Sequence, residues 1–149
     1  VRMVRPIGQS LVALRLPAIP FGLYASRSYL GTRQPKQLRL HQERLLGYDD
    51  SYGPIPELSW LSDVGLSQSV GLRCSSTRGL LLATAGGAGI AILPSRLAVA
   101  EGLIEIPAPQ PLPSRAPWLV MHRESRALPG VRKVAAWVVE AFARKLDRR

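Results

Sequence analysis

Residues Ala83 to Arg96 read A-T-A-G-G-A-G-I-A-I-L-P-S-R, the end of a helix, a glycine turn and a buried strand in quick succession. Leu80, Leu81, Leu82 and Ala83 supply the apolar run of the helix. Gly86 and Gly87 lack a Cβ and can take the left-handed backbone that closes a helix. Ile90 to Leu93 is a short unbroken apolar run, the pattern of a strand covered on both faces. Pro94 has no amide to give to a ladder and marks the strand end. A helix feeding a buried strand across a tight turn is an α/β unit.

The rest of the chain extends that alternation. Strands are expected at Val1–Arg5, Leu11–Leu16, Phe21–Ala25, Leu45–Tyr48, Val70–Cys74, Leu103–Ile106 and Trp118–His122. Ser26 is placed to cap a short helix over Arg27–Leu30, and Ser75-Ser76-Thr77 offers three caps for a helix over Arg78–Ala85. Gly53-Pro54-Ile55-Pro56 reads as a loop, with Glu57 to Leu61 carrying Trp60 on a strand or turn. A short helix is expected over Ser95–Ala100, and the alternate prolines from Pro107 to Pro113 read as an extended linker. From Gly130 onward, Val131, Val134, Trp137, Val138, Ala141, Phe142 and the stem of Lys145 share one helical face, with Trp137 as its core anchor. Strands alternating with helices predict a largely parallel sheet.

With 149 residues and 46% apolar content, the chain is about one domain able to bury a real core. No apolar run approaches the length that crosses a bilayer. The single cysteine, Cys74, precludes an internal disulfide framework, and cytoplasm is the expected compartment. The net charge is +10, and the arginines run from Arg2 to Arg149 with a cluster only at Arg144, Lys145, Arg148 and Arg149. This balance suits an acidic partner or ligand. The chain opens on an alternating V-R-M-V-R that looks like a strand already under way, as in a segment of a longer polypeptide.

Few side chains suggest chemistry. The Gly86-Gly87-Ala88-Gly89 cluster follows a helix and precedes a strand, the reverse of a phosphate loop, and reads as a structural turn. Asp49, Asp50 and Asp63 with His41 or His122 match no metal spacing. Cys74 at a strand end reads as a small core residue. No G-x-S-x-G, H-E-x-x-H or Walker pattern occurs, so no enzyme, metal or cofactor is expected. Ser75, Ser76 and Thr77 are different. They lie where a strand's carboxyl end meets a helix N-terminus, the place where open α/β sheets bind ligands, and either capping or a ligand explains their hydroxyls.

Several segments together resemble the effector-binding domain of LysR-type transcriptional regulators. In order these are V-R-M-V-R-P, L-V-A-L-R-L-P, F-G-L-Y-A-S-R-S-Y-L, V-G-L-R-C-S-S, A-G-G-A-G-I-A-I-L-P-S-R-L-A and W-L-V-M-H-R-E-S-R-A-L-P-G-V-R-K-V-A-A-W-V. The resemblance implies a type 2 periplasmic-binding-protein-like α/β fold, two subdomains joined by two crossing strands, with a small effector in the cleft. Subdomain I would be incomplete. Residues 1–21 and 119–149 would be its parts, and residues 22–118 subdomain II with the crossing strands. The family's N-terminal winged helix-turn-helix, which carries the DNA contacts, has no counterpart in this sequence. By position the resemblance assigns effector binding to Arg5, Ser75, Ser76 and Thr77. An arginine facing hydroxyls and helix amides suits an anion, typically a carboxylate. The implied function is effector sensing in a bacterial, cytoplasmic, homo-oligomeric regulator, with no membrane partner and DNA reached only through the absent domain. A solute-binding domain of a transport system and a small basic nucleic-acid-binding protein are the alternatives.

Overall fold

A computed structural model describes the chain except residues 4, 5, 7, 9, 148 and 149, and of residues 144–147 it describes the backbone alone. The chain divides into two compact units, residues 1–19 with 114–149, and residues 20–113.

The second unit holds the sheet. Its strands are β2 (Ile19–Ala25), β3 (Leu45–Tyr48), β4 (Val70–Cys74), β5 (Ile90–Pro94) and β6 (Ile104–Ile106), following β1 (Leu11–Arg15) of the first unit. They lie in the order β4-β3-β5-β2-β6. β3 runs parallel to β4 and β5, whereas β2 is antiparallel to β5 and β6. The parallel expectation therefore holds for all but β2, the strand by which the chain enters this unit.

β5 shows why the apolar run lies at the centre. Ile90 and Ile92 pack into one core cluster with Leu23, Leu45, Trp60 and Leu61, and Ala91 and Leu93 into another with Tyr24, Leu46, Leu80 and Leu81. Successive side chains of a strand point to opposite faces, so a strand buried on both must be apolar throughout. Helix α2 (Pro56–Asp63) covers the first face, and α3 (Thr77–Ala85) with α4 (Ser95–Ala100) covers the second. A short helix α1 (Arg27–Leu30) begins at Ser26, whose hydroxyl accepts from Tyr29 N at 3.2 Å as expected.

The glycine turn divides its labour. Gly86 keeps φ −71°, and Gly87 alone takes the left-handed conformation at φ +83°. At Gly89 a Cβ would stand 2.3 Å from the Arg44 carbonyl oxygen. That oxygen accepts from Ile90 N at 2.9 Å, so absence of a side chain lets β5 start against β3.

Two expectations need correction. Trp60 lies on a helix. Pro56 fixes the helix's first turn, where a missing amide costs nothing, and Glu57 adds a carboxylate at the positive end. Pro94 is the last residue of β5, paired with Phe21, and marks the strand end as expected. In the first unit, helix α5 (Pro129–Asp147) forms as expected, but Trp137 is 67% exposed and Val134 is 61% exposed. The row turned inward is Val131, Ala135, Val138 and Phe142, each half-buried. The side chain of Lys145 lies outside the described residues.

The remainder of the first unit is a two-stranded antiparallel pair, β1 with β8 (Trp118–His122), the short β7 (Ser114–Arg115) preceding β8. Of the expected opening strand, Arg2 bridges Trp118, while Val4 and Arg5 lie outside the described residues.

Candidate functional site

The carboxyl ends of β3 and β4 lie side by side, Tyr48 opposite Cys74, and the backbone turns directly from β4 into α3. There the three hydroxyl residues have three different environments. Ser76 is the N-cap, with extended φ and ψ, and its Oγ accepts from Gly79 N at 3.0 Å. Thr77 Oγ1 lies 3.0 Å from Tyr48 Oη, and Thr77 N donates to Tyr52 Oη at 3.2 Å. Ser75 is exposed, and among the described residues neither its hydroxyl nor the Arg78 amide has a hydrogen-bond partner.

The tyrosines are the part that sequence reasoning missed. Their rings lie 4.3 Å apart between centroids at 42°, and Tyr48 is buried. The signal was present in one respect: parallel neighbours end together, so the last residue of β3 had to stand beside the last of β4. Tyr52 sits on a 3₁₀ turn (Asp50–Tyr52), and nothing in its local sequence marks it as a partner for α3.

The electrostatics are mixed. The positive end of α3 is joined by exposed Arg78 and by Arg73, whose Nη1 donates to Tyr48 O at 3.3 Å. Against these stands Asp49, whose carboxylate accepts from Ser51 N at 3.0 Å and from the Ser51 hydroxyl. Burial first, and then the Asp49 charge, push the Cys74 thiol above its ordinary range, so Cys74 is a poor nucleophile. Arg5, the fourth residue assigned to the site, lies outside the described residues.

Elsewhere the unit offers less. A shallow trough of about 480 Å³ runs between the outer side of α2 and the proline segment, where the Trp60 indole N–H donates to Pro111 O at 3.0 Å. Four of its nine lining residues are proline. Among the described residues no group of three or more His, Cys, Asp or Glu side chains is placed to hold a metal, and no helix is long and apolar enough to cross a membrane.

Residues 1–143 match the LysR substrate binding domain. The chain belongs to that family. This LysR-family chain has no match among curated proteins. Its fold is similar to the regulatory domain of CrgA, a LysR-type transcriptional regulator from Neisseria meningitidis, with a TM-score of 0.68 at 23% identity. The match covers 95% of this chain and 73% of that domain. It is likewise similar to the AmpR effector binding domain from Citrobacter freundii, with TM-score 0.67, 18% identity and coverage of 93% and 70%. A third is the C206S mutant of the OxyR2 regulatory domain from Vibrio vulnificus, with TM-score 0.65, 15% identity and coverage of 92% and 68%. Against a second CrgA structure the chain spans 51% of that chain's length. The LysR family and these folds account for the type 2 periplasmic-binding-protein-like α/β class.

Proposed function

We propose that this chain is the effector-sensing part of a LysR-type transcriptional regulator, and that the β4–α3 corner holds the anionic end of a small molecule. The observation that carries the site is that the Ser75 hydroxyl and the Arg78 amide are both open at the N-terminus of a nine-residue helix. A carboxylate there would accept both hydrogen bonds and lie in the favourable end of the helix dipole. Ser76 and Thr77 contribute differently from Ser75. Ser76 holds the helix start, and Thr77 is fastened to Tyr48 and Tyr52, so both keep the corner in shape. Arg5 remains a proposed fourth contact, a planar fork suited to a carboxylate. On this reading, DNA contact and assembly into oligomers belong to the whole regulator, and this chain has no chemistry of its own.

The test is amide-resolved NMR with a panel of small carboxylates and inorganic phosphate. A ligand of this class should move the Ser75 to Gly79 amides, and Ser75→Ala should weaken it by about tenfold or more, the worth of a hydrogen bond to a charged group. Carboxylates that bind while those amides stay still would place the site elsewhere.

A further inference from the structure

The second unit is nearly neutral as a whole, with eight cations against seven carboxylates, but its charge is sharply sorted. Residues 27–44 hold five of those cations, Arg27, Arg33, Lys36, Arg39 and Arg44, and one carboxylate, Glu43. The rest of the unit, residues 45–113, holds three cations and six carboxylates. The sheet places the basic segment. Ala25 pairs with Ile104 and Leu45 with Ile90, so β2 ends where β3, β5 and β6 begin. Residues 27–44 join the end of β2 to the start of β3 and therefore span that end of the sheet. The β4–α3 corner lies at the other end, where Tyr48 stands beside Cys74.

The segment is ordered, and its carboxylate is withdrawn. Arg33 Nη1 donates to both Glu43 carboxylate oxygens, at 2.8 and 3.0 Å, and the Tyr29 hydroxyl donates to Glu43 Oε2 at 2.7 Å. The Glu43 side chain is 8% exposed, so its charge is both neutralised by Arg33 and largely covered. Leu38 and Leu40 pack against the core. Gln37 N donates to Gln34 O at 3.0 Å and Gln42 N to Arg39 O at 2.8 Å, closing two 3₁₀ turns over Pro35–Gln37 and Leu40–Gln42. Arg27, Lys36, Arg39 and Arg44 stay exposed, together with Ser28, Thr32, Gln34, Gln37 and Gln42.

We propose that residues 27–44 form a contact surface for the phosphate backbone of duplex DNA, through Arg27, Lys36, Arg39 and Arg44. Exposed arginine, lysine, serine, threonine and glutamine are the donors that phosphate oxygens accept from, and such contacts position a duplex without reading its sequence. The surface therefore adds to, and does not replace, a recognition element elsewhere in a regulator. A protein partner or a lipid surface calls for apolar anchors. The exposed large hydrophobics of this unit are Leu72, Leu82, Leu97 and Val99, all outside the segment. Single strands call for exposed aromatic rings, and Tyr29, half-buried, has its ring under the Arg33 guanidinium at 5.1 Å. The choice of DNA over RNA rests on the proposed role in a LysR-type regulator.

Bulk attraction of the chain to DNA does not discriminate, because the first unit carries twelve cations against three carboxylates, a net +9. The salt dependence of single variants does. Anisotropy of a labelled duplex of mixed sequence would be followed across a salt series for the parent chain, Lys36→Gln, Arg39→Gln and Arg96→Gln. Each lost phosphate contact should flatten the slope of log affinity against log salt by about 0.9, so Lys36→Gln and Arg39→Gln should each do so and their double variant by about twice as much. Arg96, also exposed, follows Pro94 at the other end of the sheet, and its variant should leave the slope unchanged although it removes the same charge. Urea melts should place every variant at the parent midpoint. Unchanged slopes for Lys36→Gln and Arg39→Gln, or an equal change in Arg96→Gln, would overturn the proposal. Tighter binding to polyglutamate, to phosphatidylglycerol vesicles or to duplex RNA would also overturn it. Failure of the effector reading is read separately, because Ser75→Ala should not alter the slope.

Discussion

Replacing Gly89 with alanine tests the feature on which the fold turns. The new Cβ would stand 2.3 Å from the Arg44 carbonyl oxygen and 3.1 Å from Leu46 Cδ2. The first is backbone and cannot swing away, so β3 and β5 must part by most of an ångström where they begin to pair, Leu45 opposite Ile90. Overpacking of this kind costs about 1–3 kcal/mol, and loss of the Ile90 N to Arg44 O bond adds about 1 kcal/mol. The expected total is about 2–4 kcal/mol, which at a urea slope of about 2 kcal/mol/M moves the midpoint down by about 1–2 M. Two neighbours calibrate the experiment. Gly87→Ala forces a non-glycine residue to φ +83° with the Ser28 hydroxyl 2.9 Å away, and should cost about 1–2 kcal/mol. Gly86→Ala keeps helical φ, meets Leu82 O at 3.3 Å, and should stay within about 1 kcal/mol of the parent. Urea melts followed by circular dichroism would rank the three. A Gly89→Ala midpoint equal to that of Gly86→Ala would refute the close approach.

Two further outcomes follow from burial. Trp137→Ala should change stability by no more than about 0.5 kcal/mol in a denaturant melt, as for other exposed positions; a loss of several kcal/mol would show that the indole is packed. Tyr24 and Tyr29 are both raised above the ordinary phenol value of 10.0, in each case by burial first, with Glu105 adding to the first and the Glu43 hydrogen bond to the second. An unfolded phenol then ionises before the folded one, so stability is level below about pH 10 and falls as pH rises through the folded values. The fall should be shallower in Tyr29→Phe, and equal slopes for parent and variant would contradict it.

What the sequence made legible was local and apolar. β3, β4 and β8 begin and end where their residues predict, and Ser26 and Ser76 both cap. These features depend on a few consecutive side chains, and backbone preference and burial agree there. Trp60 failed because two neighbouring prolines argue for a loop unless one is known to stand at a helix's first position. Trp137 failed for another reason. An apolar stripe predicts that a helix has a buried side, but Val134–Trp137 and Val131–Val138 are adjacent rows, and only packing chooses between them. The Tyr48–Tyr52–Thr77 contact joins residues up to 29 positions apart, beyond any local pattern. The fold's parallel strand ends bring it about.

Charge was the least legible property. Read linearly, the cations look evenly spread, because the first unit is assembled from residues 1–19 and 114–149. In space the nearly neutral second unit holds almost the entire core and the β4–α3 corner, while the first holds a net +9 with little core. Stability should then be governed by substitutions within Pro20–Pro113, where a lost buried methylene group costs about 1 kcal/mol. The charged and exposed residues of the other unit should contribute little to the melt. Gly89→Ala should therefore move the midpoint, and Lys133→Glu, at an exposed position, should leave it within about 0.5 kcal/mol of the parent. If Lys133→Glu moved the midpoint as far as Gly89→Ala, the positive charge would have to be contributing to the fold itself.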